Sequence, residues 1–146
     1  MKKITTTVIF ILIVACLLCV TSCESVTNTL ETVHGMKKAA HLVYDFWDAI
    51  ETGDFERAQN MLHSSSEVSV VGLETYLSNI EQEFGMDFSD DFYIMNDSTM
   101  ISTNESFERA YVTKCSLVVN DTGYILYVLT VYDTQGFGIY SFEIVE

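Results

Sequence analysis

The sequence predicts an α+β fold, with N-terminal helices packed on a curved antiparallel sheet. Three observations predict it. Apolar residues recur at three- and four-residue steps as far as Gly85, then at every second residue beyond Asp87. The long alternating runs near the C-terminus are separated by Asn120-Asp121-Thr122-Gly123 and Asp133-Thr134-Gln135-Gly136, both made of turn formers. The helical segments all precede the strands, which is the order of an α+β chain rather than an α/β one.

Lys2 and Lys3 precede an almost wholly apolar run, Ile4–Val20, with Thr5, Thr6 and Thr7 near its start. A positive end, an apolar stretch and small residues at its exit are the pattern of a secretory signal peptide over residues 1–22. Val20-Thr21-Ser22-Cys23 closes the run with an aliphatic residue, two small ones and a cysteine. These residues resemble the lipobox of bacterial lipoproteins. The resemblance implies cleavage before Cys23 and a diacylglycerol on its thiol. Two or more acyl chains give stable membrane anchoring where one is marginal. The chain is then expected in the cell envelope, outside the cytoplasm and tied to a membrane. Two other readings stand beside this one. The run, about 17 residues long, is at the short limit for an uncleaved spanning helix. It also suits an ordinary secretory signal with Cys23 incidental. A second box-like run, Ile13-Val14-Ala15-Cys16, leaves too short an apolar stretch before the cut. Residues 23–35, rich in Thr, Ser, Asn and Glu, read as the lipidated N-terminus and a tether. Residues 36–146 read as one α+β domain.

Within that domain the first helix is expected from about Gly35 to Thr52. Ala39, Leu42, Val43, Phe46, Trp47 and Ile50 form its apolar stripe, with Asp45, Asp48 and Glu51 off it. Gly53 suits its C-terminal cap, and Asp54 the N-cap of a second helix through His63. Val68–Val71 is a short apolar patch with the character of a small strand. Leu73, Tyr76, Leu77, Ile80 and Phe84 make a third stripe, closed by Gly85. Strands follow at about Phe88–Met95, Thr99–Thr103, Arg109–Val119, Tyr124–Tyr132 and Phe137–Val145. The whole is about three helices and four to six strands, the final three strands forming a meander.

Phe46-Trp47-Asp48-Ala49-Ile50-Glu51-Thr52-Gly53-Asp54-Phe55-Glu56-Arg57-Ala58, followed by three long strands, resembles the nuclear-transport-factor and ketosteroid-isomerase superfamily. The resemblance implies a cone-like arrangement in which the curved sheet wraps the long helix and leaves a pocket at its open end. It implies no one activity, because such folds carry enzymes and binding modules alike.

The chain has 146 residues, 21 acids and 7 bases, for a net charge of −14. Past residue 22 the bases are Lys37, Lys38, Arg57, Arg109 and Lys114, and the net charge is about −16 with histidine neutral. Such a surface repels phosphate backbones, so no nucleic-acid partner is expected. Cys115 is the one cysteine beyond the N-terminal segment, leaving no disulfide framework and no thiolate cluster. On its strand it reads as a small hydrophobe. His34, His41 and His63 have no i,i+4 partner, and His63 reads as the favourable charge at the end of the second helix. Asp87, Asp90, Asp91 and Asp97 form an acidic stretch without the spacing of a calcium loop. The sequons at Asn96, Asn104 and Asn120 carry no weight beside a bacterial lipobox. No metal or cofactor is expected.

The informative anomaly is Tyr124–Tyr132, apolar on both of its faces. A sheet with one wet face alternates with polar residues. Either this strand is core on both sides, covered by the N-terminal helices and the loop at 64–72, or it lines a cavity or an interface, with a small apolar ligand, a second copy or an envelope protein as its occupant. Tyr111, Tyr127, Leu129, Tyr140 and Phe142 are the residues expected to face it. The leading expectation is a non-enzymatic binding or scaffolding role at the membrane. The alternative is an isomerase or dehydratase using Asp48 and Tyr44, one helical turn apart, as an acid–base pair.

Overall fold

The structure is a computed structural model that describes residues 30–89, 91–103 and 106–146. The expected signal peptide, Cys16, Cys19, Cys23, Asp90 and Asn104 lie outside those residues. Gly35–Glu146 form one compact unit. Four helices pack on a four-stranded antiparallel sheet that is curved and unclosed, so the α+β class holds.

Helix α1 covers residues 30–51. It therefore takes in residues 30–35, part of the stretch expected as a tether. Once packing has nucleated a helix, each further residue adds a hydrogen bond at little cost, and Thr- and Ser-rich composition does not stop it. The predicted stripe is the buried one: Ala39, Val43, Phe46, Trp47 and Ile50 are at most 3% exposed. Helix α2 is short, Phe55–Gln59, with the Asp54 carboxylate accepting the Arg57 N–H at 3.1 Å. It stops well before His63 because the sheet takes the following backbone. Ile139 N–H donates to Met61 O at 3.0 Å, and His63 N–H to Ile139 O at 2.7 Å.

The expected strand at Val68–Val71 is instead a helix, α3, Glu67–Val71. Ser66 Oγ caps it by accepting the Val68 N–H at 3.2 Å. Only Val68 is buried, while Val70 is 83% exposed. The cap and one anchoring side chain outweigh the β-branched preference. Helix α4, Leu73–Phe84, ends at Gly85 in the left-handed conformation, φ 65°.

The strands are β1 Phe92–Ser102, β2 Arg109–Val119, β3 Thr122–Asp133 and β4 Gly136–Val145, in sequential order. The two strands expected before residue 104 are one. A bulge at Asp97 absorbs the polar interruption, with Asn96 opposite Cys115 and Ser98 opposite Lys114. Phe88 precedes the strand and is buried against Trp47, ring centroids 5.5 Å apart. Asn120 and Asp121 are the two loop residues between β2 and β3, both at positive φ, as a tight hairpin of this hand requires. A second bulge lies in β4. Leu129 faces Ser141 and Thr130 faces Ile139, so Tyr140 is the extra residue. The bulge reverses the alternation expected there: Ile139, not Tyr140, shares the core face with Phe142 and Ile144.

The core lies between α1, α4 and one sheet face. Trp47 is its centre, with rings of Phe46, Phe88, Phe92 and Phe142 at 5.5–6.0 Å. Each large side chain fully buried there contributes roughly 1.5–3 kcal/mol.

Candidate functional site

The site lies at the β4 edge, where the outer face of the sheet, with Phe142 and Ile144 from the core face, meets α4. Two cross-strand rows pass through it: Met100, Val112, Leu129 and Ser141, of which the last three line it, and Ser98, Lys114, Tyr127 and Glu143, of which the last two do. Helix α4 stands beside β4, where Tyr76 Oη donates to Phe142 O at 3.2 Å. The Tyr76 and Phe142 rings meet edge to face at 5.0 Å. Between helix and sheet is a groove of about 590 Å³. Val112, Leu129, Ile80 and Ile144 supply its apolar lining, Tyr76, Phe84, Tyr127 and Phe142 its aromatic lining, and Glu83 and Glu143 its charge. Its size is that of a small-molecule pocket. Burial, with help from Glu67 and Glu143, pushes the Tyr76 phenol above its ordinary value, so it stays a neutral donor at physiological pH. A second depression, about 400 Å³, lies between the end of α1, α2 and α4, with Ile50, Phe55, Leu77 and Phe88 beneath Glu51, Glu74 and Glu81.

The residues expected at a pocket or interface are divided by the fold. Tyr127, Leu129 and Phe142 line the groove. Tyr111 is on the core face, 3% exposed, with its hydroxyl where a side chain at Gly35 would stand. Tyr140, displaced by the bulge, packs on Phe107 with centroids 4.9 Å apart. Tyr44 and Asp48 are not brought together. Tyr44 Oη accepts the Asn96 N–H at 2.7 Å, and Asp48 pairs with Arg57 at 2.8 Å on the exposed side of α1. Neither residue lines the groove. Cys115 is fully buried, and that burial pushes its thiol up to about 12. Asp87 accepts the Ser89 N–H, and Asp97 accepts the Ser116 hydroxyl. Both acids are thus turn and bulge residues, and among the described residues no cluster could hold a metal.

Sequence reasoning missed a second polar constellation. His63 is buried, not at the end of a helix. Its Nδ1 lies 2.7 Å from Ser65 Oγ, and its Nε2 lies 3.1 Å from Asp133 Oδ1. The Ser65 N–H points to Nδ1 at 3.3 Å, which leaves the ring proton on Nε2, facing Asp133. The Asp133 carboxyl is held below its ordinary value, first by the Gln135 N–H and also by His63. The order serine, histidine, aspartate suits nucleophilic catalysis. Here it closes a loop instead. The adjacent N–H groups that would stabilise an oxyanion are occupied, Ser65 N on Nδ1 and Ser66 N on His63 O. With Ser64 Oγ on Gln135 Oε1 at 2.6 Å, these bonds latch residues 63–65 to the β3–β4 turn. Gly138 permits the close approach: a Cβ there would lie 2.6 Å from His63 N. Nothing local in the sequence signals this, since His63 and Asp133 are 70 residues apart.

No family model and no curated protein matches the chain.

Proposed function

We propose that this is a lipid-anchored envelope protein of binding type, whose groove beside α4 holds a small, largely apolar ligand near the membrane. The observation that carries the binding role is the groove: about 590 Å³, floored by Val112 and Leu129 and walled by four aromatic rings. A concave site of this size, with apolar lining and a few polar groups, has the form of a small-molecule site. The lipobox Val20–Cys23 supports the anchoring, and the helix-then-meander order supports the likeness to the nuclear-transport-factor superfamily. Among the described residues no helix is long and apolar enough to cross a membrane. The isomerase-type alternative gains no support from Asp48 and Tyr44, whose polar groups are engaged elsewhere.

Two experiments test the two parts. Methyl NMR of the chain titrated with 4-phenylbutanol, a neutral probe, should move the Val112 and Leu129 methyl signals. Leu129→Asp should abolish the shift at Val112. A probe that leaves both methyls in place removes the binding role. Metabolic labelling with a radioactive fatty acid should mark the wild type and not Cys23→Ala. Label that survives the substitution removes lipidation at Cys23.

A further inference from the structure

Resting on the reading of the groove as a binding site, we propose that its ligand is an organic cation, an apolar or aromatic body ending in an ammonium group, which the Glu83 and Glu143 side of the groove receives. The lining contains two carboxylates and no base. Both acids are exposed, and among the described residues neither is in an ion pair. Lys114 is the nearest base that the sheet register places on this face. It lies two strands from Glu143, with Tyr127 between them. Two strand spacings are roughly 10 Å, and among the described residues no ion pair joins Lys114 to Glu143.

The rest of the lining selects the kind of cation. A bare metal ion needs several close oxygen ligands, and among the described residues no group of three or more acids, histidines or cysteines could hold one. An ammonium on an apolar body is suited at both ends. Its body covers the aliphatic floor, and its charge is drawn to the rings of Tyr76 and Tyr127 as well as to the carboxylates. An anion of the same shape meets two like charges in a site partly shielded from water, where repulsion is stronger than in bulk. A neutral molecule takes the floor and gains nothing from the acids.

Three probes of one shape test this on the full chain in nonionic detergent micelles, against micelles alone. They are 4-phenylbutylammonium, 4-phenylbutanol and 4-phenylbutyrate. The expected order is ammonium at least about tenfold tighter than alcohol, with butyrate weakest, all read by calorimetry and by the Val112 and Leu129 methyl signals. The paired substitution Glu83→Gln and Glu143→Gln should bring ammonium and alcohol to equal affinity. Both positions are exposed, and circular dichroism checks that the variant folds. Equal binding of ammonium and alcohol by the wild type overturns this inference and leaves the apolar groove standing. Shifts at Ile50 and Leu77 in place of Val112 and Leu129 overturn it by moving the site to the smaller depression. Failure of all three probes to move any methyl overturns the groove reading itself.

Discussion

The two faces of strands β3 and β4 are nearly equal in apolar content and opposite in fate. On one, Leu126, Val128, Phe142 and Ile144 are buried in the core, the last two at the β4 edge where they also border the groove. On the other, Tyr127 and Leu129 stay partly open to solvent beside α4. Hydrophobicity alone does not separate the two. What separates them is the stripe of α1, which covers one face from Val43 to Ile50, while α4 stands at the strand edge and leaves the other face a groove. A strand apolar on both sides therefore does not report burial on both sides. It reports that each side has apolar work to do, one of them packing.

The comparison breaks first at the centre of the sealed face. Trp47→Ala should cost about 3–5 kcal/mol, because the ring contacts four others and no neighbour can collapse into so large a void. Chemical denaturation reads it as a lowered midpoint. Trp47→Phe should cost much less than that. Trp47 Nε1 has no hydrogen-bond partner, so the smaller ring also removes a buried, unsatisfied donor. A Trp47→Phe cost equal to that of Trp47→Ala would show that the indole nitrogen is satisfied in solution.

The next largest effect belongs to the latch at the far end of β4. His63→Ala strands the Asp133 and Ser65 groups and should cost about 1–3 kcal/mol. Gly138→Ala should cost at least as much, by driving a Cβ into the His63 backbone. Because the Asp133 carboxyl is held below its ordinary value, its contribution is present above that ordinary value and is lost as pH falls through the lower, folded one. Thermal melts between pH 6 and pH 3 should therefore converge for wild type and Asp133→Asn. Melts that stay parallel would assign the latch to the Ser64 and Ser65 bonds alone.

On the open face the effect on stability should be small. Leu129→Ser should change it by less than about 1 kcal/mol while abolishing 4-phenylbutanol binding in the methyl titration. A loss as large as that at Trp47 would mean that the groove is packed in solution.

Much of this division was legible beforehand, and the physical reason is periodicity. The α1 stripe and the β2–β3–β4 alternation extend over ten or more residues, so the pattern survives local exceptions. The two-sided apolarity of β3 pointed to a pocket-forming face, and Tyr127 and Leu129 stand on it. What was not legible comes from insertions of one residue and from distant pairs. The bulge at Tyr140 moves Ile139 into the core without disturbing the apolar run, and the bulge at Asp97 makes one strand look like two. Val68–Val71 misleads because its Ser66 cap, one hydroxyl, decides the helix. Glu143 interrupts an otherwise apolar strand, and only the position of α4 makes it part of a groove.

The smallest effect sharpens the comparison most directly, because it asks one chemical question of both faces. Cys115 sits on the sealed face, opposite Asn96 and Leu126, fully buried, with its thiol pushed up to about 12. The thiolate is the reactive form, so at pH 8 iodoacetamide should leave Cys115 unmodified in the folded chain and alkylate it after denaturation, read by peptide mass. Leu129→Cys in a Cys115→Ala background places the same thiol on the groove face, where it should react in the folded state. The raised value also has a linkage consequence. Above the ordinary value near 9 the unfolded chain releases the Cys115 proton and the folded chain keeps it. Unfolding then becomes more favourable as pH rises, up to about 12. Between pH 8 and 10.5 the wild type should lose more stability than Cys115→Ala, the difference in denaturation midpoints isolating the thiol from the tyrosines and lysines common to both. Rapid alkylation of Cys115 in the folded chain at pH 8, with equal pH slopes for the two proteins, would show that the face beneath α1 opens as readily as the groove.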